Sequence, residues 1–548
     1  MSGAMAMASG PWSGENKLPT LRFRLKASRS GRVHRRMLRC LAFVLLFAVL
    51  AARAAEKRPN VLFIFADDQP YKTISCYPEA PKWVKTPNID ALAATGVRFH
   101  RAYFGAWCMP SRAAMLTGLL QPAVLTMRME GKYPGSTYDP AQCRFWPAEL
   151  RKHGYQTAQI GKWHTGVDTG YGRDWDYQVV WNRPGKPENA GHYYTGQIVT
   201  VNGKDQPLGD YSTDAYTNLA VDYIKGANRD ATKPWYLWLC FGAIHGPTTP
   251  ADRHKGKMAG HKADVPADIF GPRPDKPAYL EKTQAFVKGK DGTPVRGGKA
   301  KKGETNFDAD EGGKSLDEWV QQVNECNMAV DEGVGRIVEA LKATGQLDNT
   351  LVIYTADQGF ALGEHGCSIK LAPYDANISS PLVVSMPSRI AQGKVSQQPV
   401  NSPDLVRTLL AFTGMEPPWP MHGRDMTPLL KDPEHASFDS PTLMIHTGDT
   451  YGAATSPIPT KLKDMQKEGK VPWWVMLRDG KFKYVRNLTR NEMEELYDLE
   501  ADPEELHNLA RVPGHREQVE ALRAKTIASL KENAVPFADA MPPVMEVR

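Results

Sequence analysis

Five groups of residues in the 548-residue chain have types and spacing that could do chemistry. They are Asp67-Asp68, the run Cys108-Met109-Pro110-Ser111-Arg112, Lys162 with His164, His245, and Asp357-Gln358. Asp67, Asp68, Asp357 and Gln358 offer only oxygen donors, the set that a hard divalent cation such as Ca2+ or Mg2+ takes in preference to zinc. Three grouped carboxylates would repel one another without such a cation. Pro110 near the start, good helix formers behind it and Gly118 beyond the last apolar positions describe a short helix with Cys108 at its entrance. A helix N-terminus attracts anions, and Arg112 adds a fork of donors suited to a tetrahedral oxyanion. A thiol at that point is expected to be partly activated by the helix dipole and Arg112.

These groups need elements that bring them together. Short continuous apolar runs predict buried parallel strands at Asn60 to Ala66, Gln156 to Gly161, Trp235 to Phe241, Thr350 to Ala356 and Pro381 to Met386. Helical patterns lie between them at Ile89 to Ala94, Ala148 to His153, Thr213 to Ala227 and Leu316 to Ala343. Four of the five strands end in the polar groups named above. Ligands bind outside the carboxyl ends of strands in open α/β sheets, so these groups are expected to share one cleft. An Asp after a strand is ordinarily a cap and a lone His ordinarily structural; joint placement carries the argument.

The predicted fold is therefore α/β, a mostly parallel central sheet sandwiched by helices, with a smaller C-terminal α+β subdomain. The catalytic domain is read over residues 55–430. Within it, residues 251–314 are rich in Gly, Pro and Lys without periodicity and are read as a surface insertion. Residues 431–548 form the subdomain, with a hairpin of Trp473 to Leu477 and Lys481 to Val485 around Asp479-Gly480, and a helix from Arg516 to Glu532.

The five groups together resemble the sulfatase family of the alkaline phosphatase superfamily. The Cys108 to Arg112 run with Leu116-Thr117-Gly118 is similar to the signal that directs oxidation of the cysteine to formylglycine. Asn60-Val61-Leu62 before Asp67-Asp68 resembles the first metal-binding strand, and Gly161-Lys162-Trp163-His164 the second motif. Asp357-Gln358-Gly359, Gly363-Glu364-His365-Gly366 and Lys370 resemble the later metal and lysine motif, and Leu496-Tyr497-Asp498-Leu499 the C-terminal signature. The likeness runs from about Arg58 to Leu509. The chain departs from the family pattern at Leu119, where Arg often follows the Thr-Gly pair, at Gln358, where Asn or His is usual, and after Lys370, where Leu371 to Asp375 match loosely.

The resemblance implies a mechanism. Formylglycine at Cys108, as a geminal diol, attacks sulfur with one hydroxyl, polarised by one Ca2+ on Asp67, Asp68, Cys108, Asp357 and Gln358 and by Arg112. Lys162 and Lys370 hold sulfate oxygens, His245 is the implied acid for the leaving alcohol with Lys370 the second candidate, and His164 deprotonates the remaining hydroxyl to expel sulfate. The implied partners are a sulfated carbohydrate substrate and a formylglycine-installing enzyme. A phosphonate or phosphodiester hydrolase on the same scaffold and a non-catalytic binder of sulfated glycans are the alternatives. The basic residues Lys288, Lys290, Arg296, Lys299, Lys301 and Lys302 could steer a polyanion. Trp175, Trp181, His192 and Tyr193, on a loop-like stretch, could stack on sugar rings.

Composition is that of an ordinary globular protein, and a formal charge of +7 spread over so long a chain points to no nucleic-acid partner. Residues 1–54 read as a signal peptide: basic from Lys17 to Arg39, apolar from Leu41 to Leu50, then Ala52 and Ala54 before a cleavage site. The apolar run is short for a membrane anchor, so none is expected, and the protein is expected to be exported to a periplasmic or extracellular location. Beyond Cys40, the six cysteines are scattered and form no disulfide framework, and Cys240 reads as core.

Overall fold

The computed structural model describes residues 58–125, 127, 139, 141–183, 186–297, 312–466 and 470–545. The predicted leader and the basic residues Lys299, Lys301 and Lys302 lie outside them. No helix among the described residues is long and apolar enough to cross a membrane.

The large sheet contains β1 (Asn60–Ala66), β2 (Gly96–Tyr103), β3 (Gln156–Lys162), β4 (Tyr177–Trp181), β5 (Ile198–Val201), β6 (Lys204–Pro207) and β7 (Trp235–Cys240). After a small hairpin of β8 (Phe286–Lys288) and β9 (Pro294–Arg296), it continues with β10 (Thr350–Ala356), β11 (Ser379–Ser385), β12 (Lys394–Ser396) and β13 (Val400–Asn401). The spatial order is β12-β2-β11-β10-β1-β7-β3-β4-β5-β6, with β13 also paired to β2. Its centre, β10-β1-β7-β3-β4, is parallel throughout. The carboxyl ends that carry the polar groups consequently share one edge.

The fifth strand corrects the reading of the sequence. Its apolar run is buried as expected, but β11 pairs antiparallel with both β10 and β2. Burial on both faces makes an apolar run look alike in either direction, so composition could not tell them apart.

Alternation along β1 divides the core into two layers. Val61, Phe63 and Phe65 face a cluster that includes Met109, Ala113 and Leu116 of the helix Cys108–Thr117 and Leu405 and Leu409 of the helix Ser402–Thr413. Leu62 and Ile64 face the other cluster, with Val330, Val334 and Ile337 of the helix Leu316–Ala343. That long helix starts with a capping box, Ser315 accepting from the Glu318 N–H while Glu318 accepts from the Ser315 N–H.

The C-terminal sheet is antiparallel, in the order β14 (Thr442–His446), β15 (Trp474–Asp479), β16 (Phe482–Asn487), β17 (Glu494–Asp498). One face packs on the helix Arg516–Glu532 through Val475, Leu477, Leu496 and Leu522. The other face joins the main core through Trp474, Met476 and Val485. A buried ionic network crosses at this junction. Lys483 Nζ lies 2.8 Å from Asp375 Oδ1 and 2.7 Å from Glu505 Oε1, while Arg101 Nε donates to Asp375 Oδ2 at 2.9 Å. Asn487, which opens a formal glycosylation sequon, is buried with its amide donated to Glu495 Oε1 at 3.1 Å.

Residues 251–297 of the expected surface insertion run as a strap with many exposed positions held down by buried anchors. Ile269, Arg273, Lys276, Leu280, Phe286 and Arg296 are buried. Lys276 Nζ donates to Tyr497 Oη at 2.8 Å. Arg296 donates to Ser368 Oγ at 3.0 Å and lies over the Trp319 ring, so it does not steer a polyanion. The strap lacked periodicity in sequence because, apart from the short β8–β9 hairpin, its buried residues are isolated anchors that pack on other segments.

Candidate active site

Strand ends and tight backbone approaches place the polar side chains. Past β1 the ladder continues through Asp67, with the Asp67 N–H on Ala243 O at 2.9 Å and the Ile244 N–H on Asp67 O at 2.8 Å. Asp68 then turns into the left-handed region, φ 56°, and its N–H donates to Asp357 Oδ1 at 3.0 Å. On β3, Gly161 has φ 103° and a Cβ there would lie 1.9 Å from the Cys240 carbonyl oxygen. Only glycine lets β3 approach β7 closely enough to deliver Lys162.

Cys108 opens its helix as expected, after Trp107 in extended conformation, and Gly118 closes it at φ 68°. Its Sγ lies 3.3 Å from Asp67 Oδ1, 3.7 Å from Asp68 Oδ1 and 3.1 Å from Lys370 Nζ. Lys162 is paired with Asp67, and Lys370 Nζ sits 2.7 and 2.8 Å from the two oxygens of Asp68. His245 Nε2 is 3.3 Å from Asp68 Oδ2, and its Nδ1 faces the Gly246 carbonyl at 2.6 Å. Five of the sequence groups thus meet around one buried sulfur.

Arg112 differs from expectation. It is 0% exposed, with Nη2 donated to Asp357 Oδ2 at 3.2 Å and Nη1 to the Lys162 carbonyl at 3.0 Å. Its guanidinium therefore braces Asp357 and β3 from behind the cleft, where the sequence suggested a fork open to an anion.

The thiol is not activated either. Burial pushes Cys108 up, and the Asp357 and Asp67 carboxylates push it further, outweighing Lys162 and Lys370. The helix dipole is a small effect beside two carboxylates in a dry site. Burial opposes ionisation of Asp67, yet Lys162, His245, Arg112 and Lys370 hold it well below the usual range. Asp68 is raised by burial and by Asp67, and Asp357 is raised to about 7 by burial, Asp67 and Asp68. This crowding fits a divalent cation: Asp67, Asp68 and Asp357 bring three carboxylates together, two of them raised, and the carboxylates of Asp67 and Asp68 lie with the Cys108 sulfur and a His245 nitrogen all within 4.8 Å of one another. Gln358 donates its Nε2 to Asp68 and has Oε1 3.5 Å from Ser111 Oγ, so its amide must reverse to give a cation an oxygen.

His164 stands in the left-handed region at φ 57°, and its buried Nδ1 has no hydrogen-bond partner among the described residues. Burial, then Lys162 and Arg183, lower its pKa well below the ordinary value, so the ring is neutral near pH 7. His245 is lowered in the same way by burial and Lys370.

Two features escaped the sequence reading. Tyr193 is buried and stacks on His245, ring centroids 4.0 Å apart and planes 4° from parallel, with Oη 3.3 Å from His245 Nε2. Arg183 Nη1 donates to that hydroxyl at 2.7 Å. Tyr193 therefore lies inside the catalytic layer, while Trp175 and Trp181 are core and only His192 of that group is exposed. The second is Asp268 of the strap, which grips His365. No apolar run in the sequence signalled either, since the contacts span 52 and 97 residues.

The Sulfatase family model matches residues 59–415. The chain is 28% identical over 494 residues to an N-acetylglucosamine-6-O-sulfatase of Bacteroides thetaiotaomicron, covering 83% of each chain. Its fold is similar to that of a solved protein in complex with its substrate D-glucosamine-2-N,6-O-disulfate, with a TM-score of 0.71 and 24% identity over 88% of this chain and 100% of that one. It is also similar to a phosphonate monoester hydrolase from Silicibacter pomeroyi, with a TM-score of 0.65 and 21% identity over 87% of this chain and 96% of the other.

Proposed function

The chain belongs to the sulfatase family, enzymes that hydrolyse sulfuric esters, and from that membership we propose that it desulfates a sugar or polysaccharide with a formylglycine made from Cys108. The observation that carries the reading is the meeting of Cys108 with Asp67, Asp68, Lys370 and His245 at the carboxyl edge of the parallel sheet. A thiol held protonated between carboxylates is a poor nucleophile, and a cysteine S-sulfate has no neighbouring hydroxyl to expel the sulfate. Formylglycine supplies a hydrated aldehyde, one hydroxyl to attack and a second to release the product.

Asp67, Asp68, Asp357 and Gln358 are the residues that would hold a calcium ion, which when bound supplies positive charge to polarise the nucleophile and shield the carboxylates. Lys162 and Lys370, paired here with Asp67 and Asp68, are the ammonium groups that would hold the sulfate oxygens. Arg112 keeps Asp357 in place from behind. The Gly246 carbonyl fixes His245 Nδ1 as a donor, so Nε2, beside the Tyr193 hydroxyl, would deliver a proton to the leaving oxygen only from the imidazolium, which substrate or a neighbouring donor must first charge. His164, neutral and with an unpartnered ring nitrogen, is suited to act as the base that completes turnover.

The same proposal divides the chain into a leader over 1–54 for export, a catalytic domain over 55–430 and a C-terminal subdomain over 431–548, and requires a formylglycine-installing enzyme. Given the N-acetylglucosamine-6-O-sulfatase relative, 6-sulfated hexosamines are the first substrates to try. The test pairs sulfate and phosphonate or phosphate esters of one alcohol, with mass analysis of the peptide spanning Cys108. Sulfate release that tracks the aldehyde content supports the reading. Preference for the phosphorus ester favours the phosphonate hydrolase alternative, and full activity with every copy retaining a free thiol overturns the mechanism.

A further inference from the structure

The loop that carries Lys370 is left-handed at Gly363 (φ 115°), His365 (φ 53°), Gly366 (φ 68°) and Leu371 (φ 87°). Side chains such as His and Leu hold that conformation only where their surroundings over-determine it. At Leu371 the determinant is Trp474, whose Nε1 donates to the Leu371 carbonyl at 2.8 Å. At His365 it is Asp268 of the strap. One oxygen of Asp268 accepts the His365 N–H at 2.9 Å and the other lies 2.7 Å from the ring Nδ1. Asp268 is itself fixed, since its carbonyl accepts from Arg273 Nε at 3.0 Å and Nη2 at 2.7 Å. Arg273 also approaches the loop closely: a Cβ on Gly366 would lie 2.1 Å from its Nη2. The Ala285 N–H closes the grip on the Gly366 carbonyl at 2.8 Å.

Between the two pinned ends, Lys370 reaches Asp68 and Cys108. We infer that Asp268 is a positioning residue for Lys370, acting through His365 so that the strap sets where the ammonium group meets the sulfate. The inference rests on the role given to Lys370 under the proposed function. It makes the strap part of the site although no strap residue is placed on the reacting atoms.

A double-mutant cycle with a sugar sulfate as substrate tests it. Asp268→Ala in the wild-type background is expected to lower kcat/KM by about 30-fold, mainly through kcat, and by less than about threefold in a Lys370→Ala background. Asp268→Asn, which keeps one acceptor, is expected to fall between wild type and Asp268→Ala, and serves if the alanine variant does not fold. Amide hydrogen exchange in Asp268→Asn is expected to rise across residues 363–371 and stay unchanged in β10. Equal losses in both backgrounds, or unchanged exchange in that loop, overturn the inference. A wild type that cleaves no sulfate ester refutes the functional reading instead, and the exchange data still decide whether Asp268 holds the loop.

Discussion

Cation binding at this site should be linked to proton release, and the linkage can be calculated. Asp357 is raised to about 7 by burial and by the charges of Asp67 and Asp68. About half the molecules therefore carry a proton there at pH 7, and a cation takes the carboxylate only once that proton has left. A raised carboxyl pKa favours the neutral form in the cation-free protein, so affinity must fall as pH falls. For one group near 7, the apparent Ca2+ affinity drops ~30-fold between pH 8 and pH 5.5, about 2 kcal/mol, with roughly 0.5 proton released per ion at pH 7. Asp68, also raised, steepens the slope, whereas Asp67 stays ionised and contributes little. Calorimetric titrations at pH 5.5, 7 and 8 in buffers of different ionisation heat measure both quantities. Asp357→Asn should weaken binding at every pH and remove most of the proton release. An affinity that is flat across this range, with no protons released, would refute the reasoning.

Gly161→Ala should cost several kcal/mol, because the new Cβ meets the Cys240 carbonyl at a left-handed backbone position; an unchanged melting temperature would contradict the close β3–β7 approach. His245→Ala should slow an alkyl sugar sulfate by about 100-fold and an aryl sulfate by less than about tenfold, since a phenolate leaves without a proton; equal losses would remove His245 as the acid. Burial lowers His446 to about 3, so the unfolded chain takes up a proton below about 6.5 that the folded chain refuses, and stability is lost as pH falls. Between pH 7 and pH 5 this amounts to about 2 kcal/mol, which urea unfolding should register and His446→Leu should reduce.

The catalytic edge was legible in the sequence because each functional group follows an apolar run or opens a helix. β1 and β10 have the bounds their composition suggests, and the helix Leu316–Ala343 is bracketed by Ser315 and by the end of its apolar face. What stayed hidden was made by contacts between distant segments. Arg112 sits in a motif that reads as anion-binding, but only the folded chain shows Asp357 and the Lys162 carbonyl occupying its donors. Asp268 lies in a stretch with no period, and Tyr193 in one that reads as a loop; each gains its role from a partner 97 or 52 residues away. The misjudged Cys108 thiol has the same origin, since the carboxylates that suppress it come from two other strands.

The contacts that join the two sheets beside Cys108 come from far down the chain. Cys108 is 1% exposed, its helix is flanked by Trp107 donating to the Gly448 carbonyl, and the loop beside it is closed by Trp474, Lys483 and Glu505. All of these closing residues lie more than 300 positions downstream. On the proposed reading, an enzyme that converts Cys108 would have to reach it before these downstream residues close over it, since Cys108 is buried once they are in place. If Cys108 is converted as proposed, changes that hasten docking of the C-terminal sheet would trade a faster-folding protein for one with fewer converted nucleophiles.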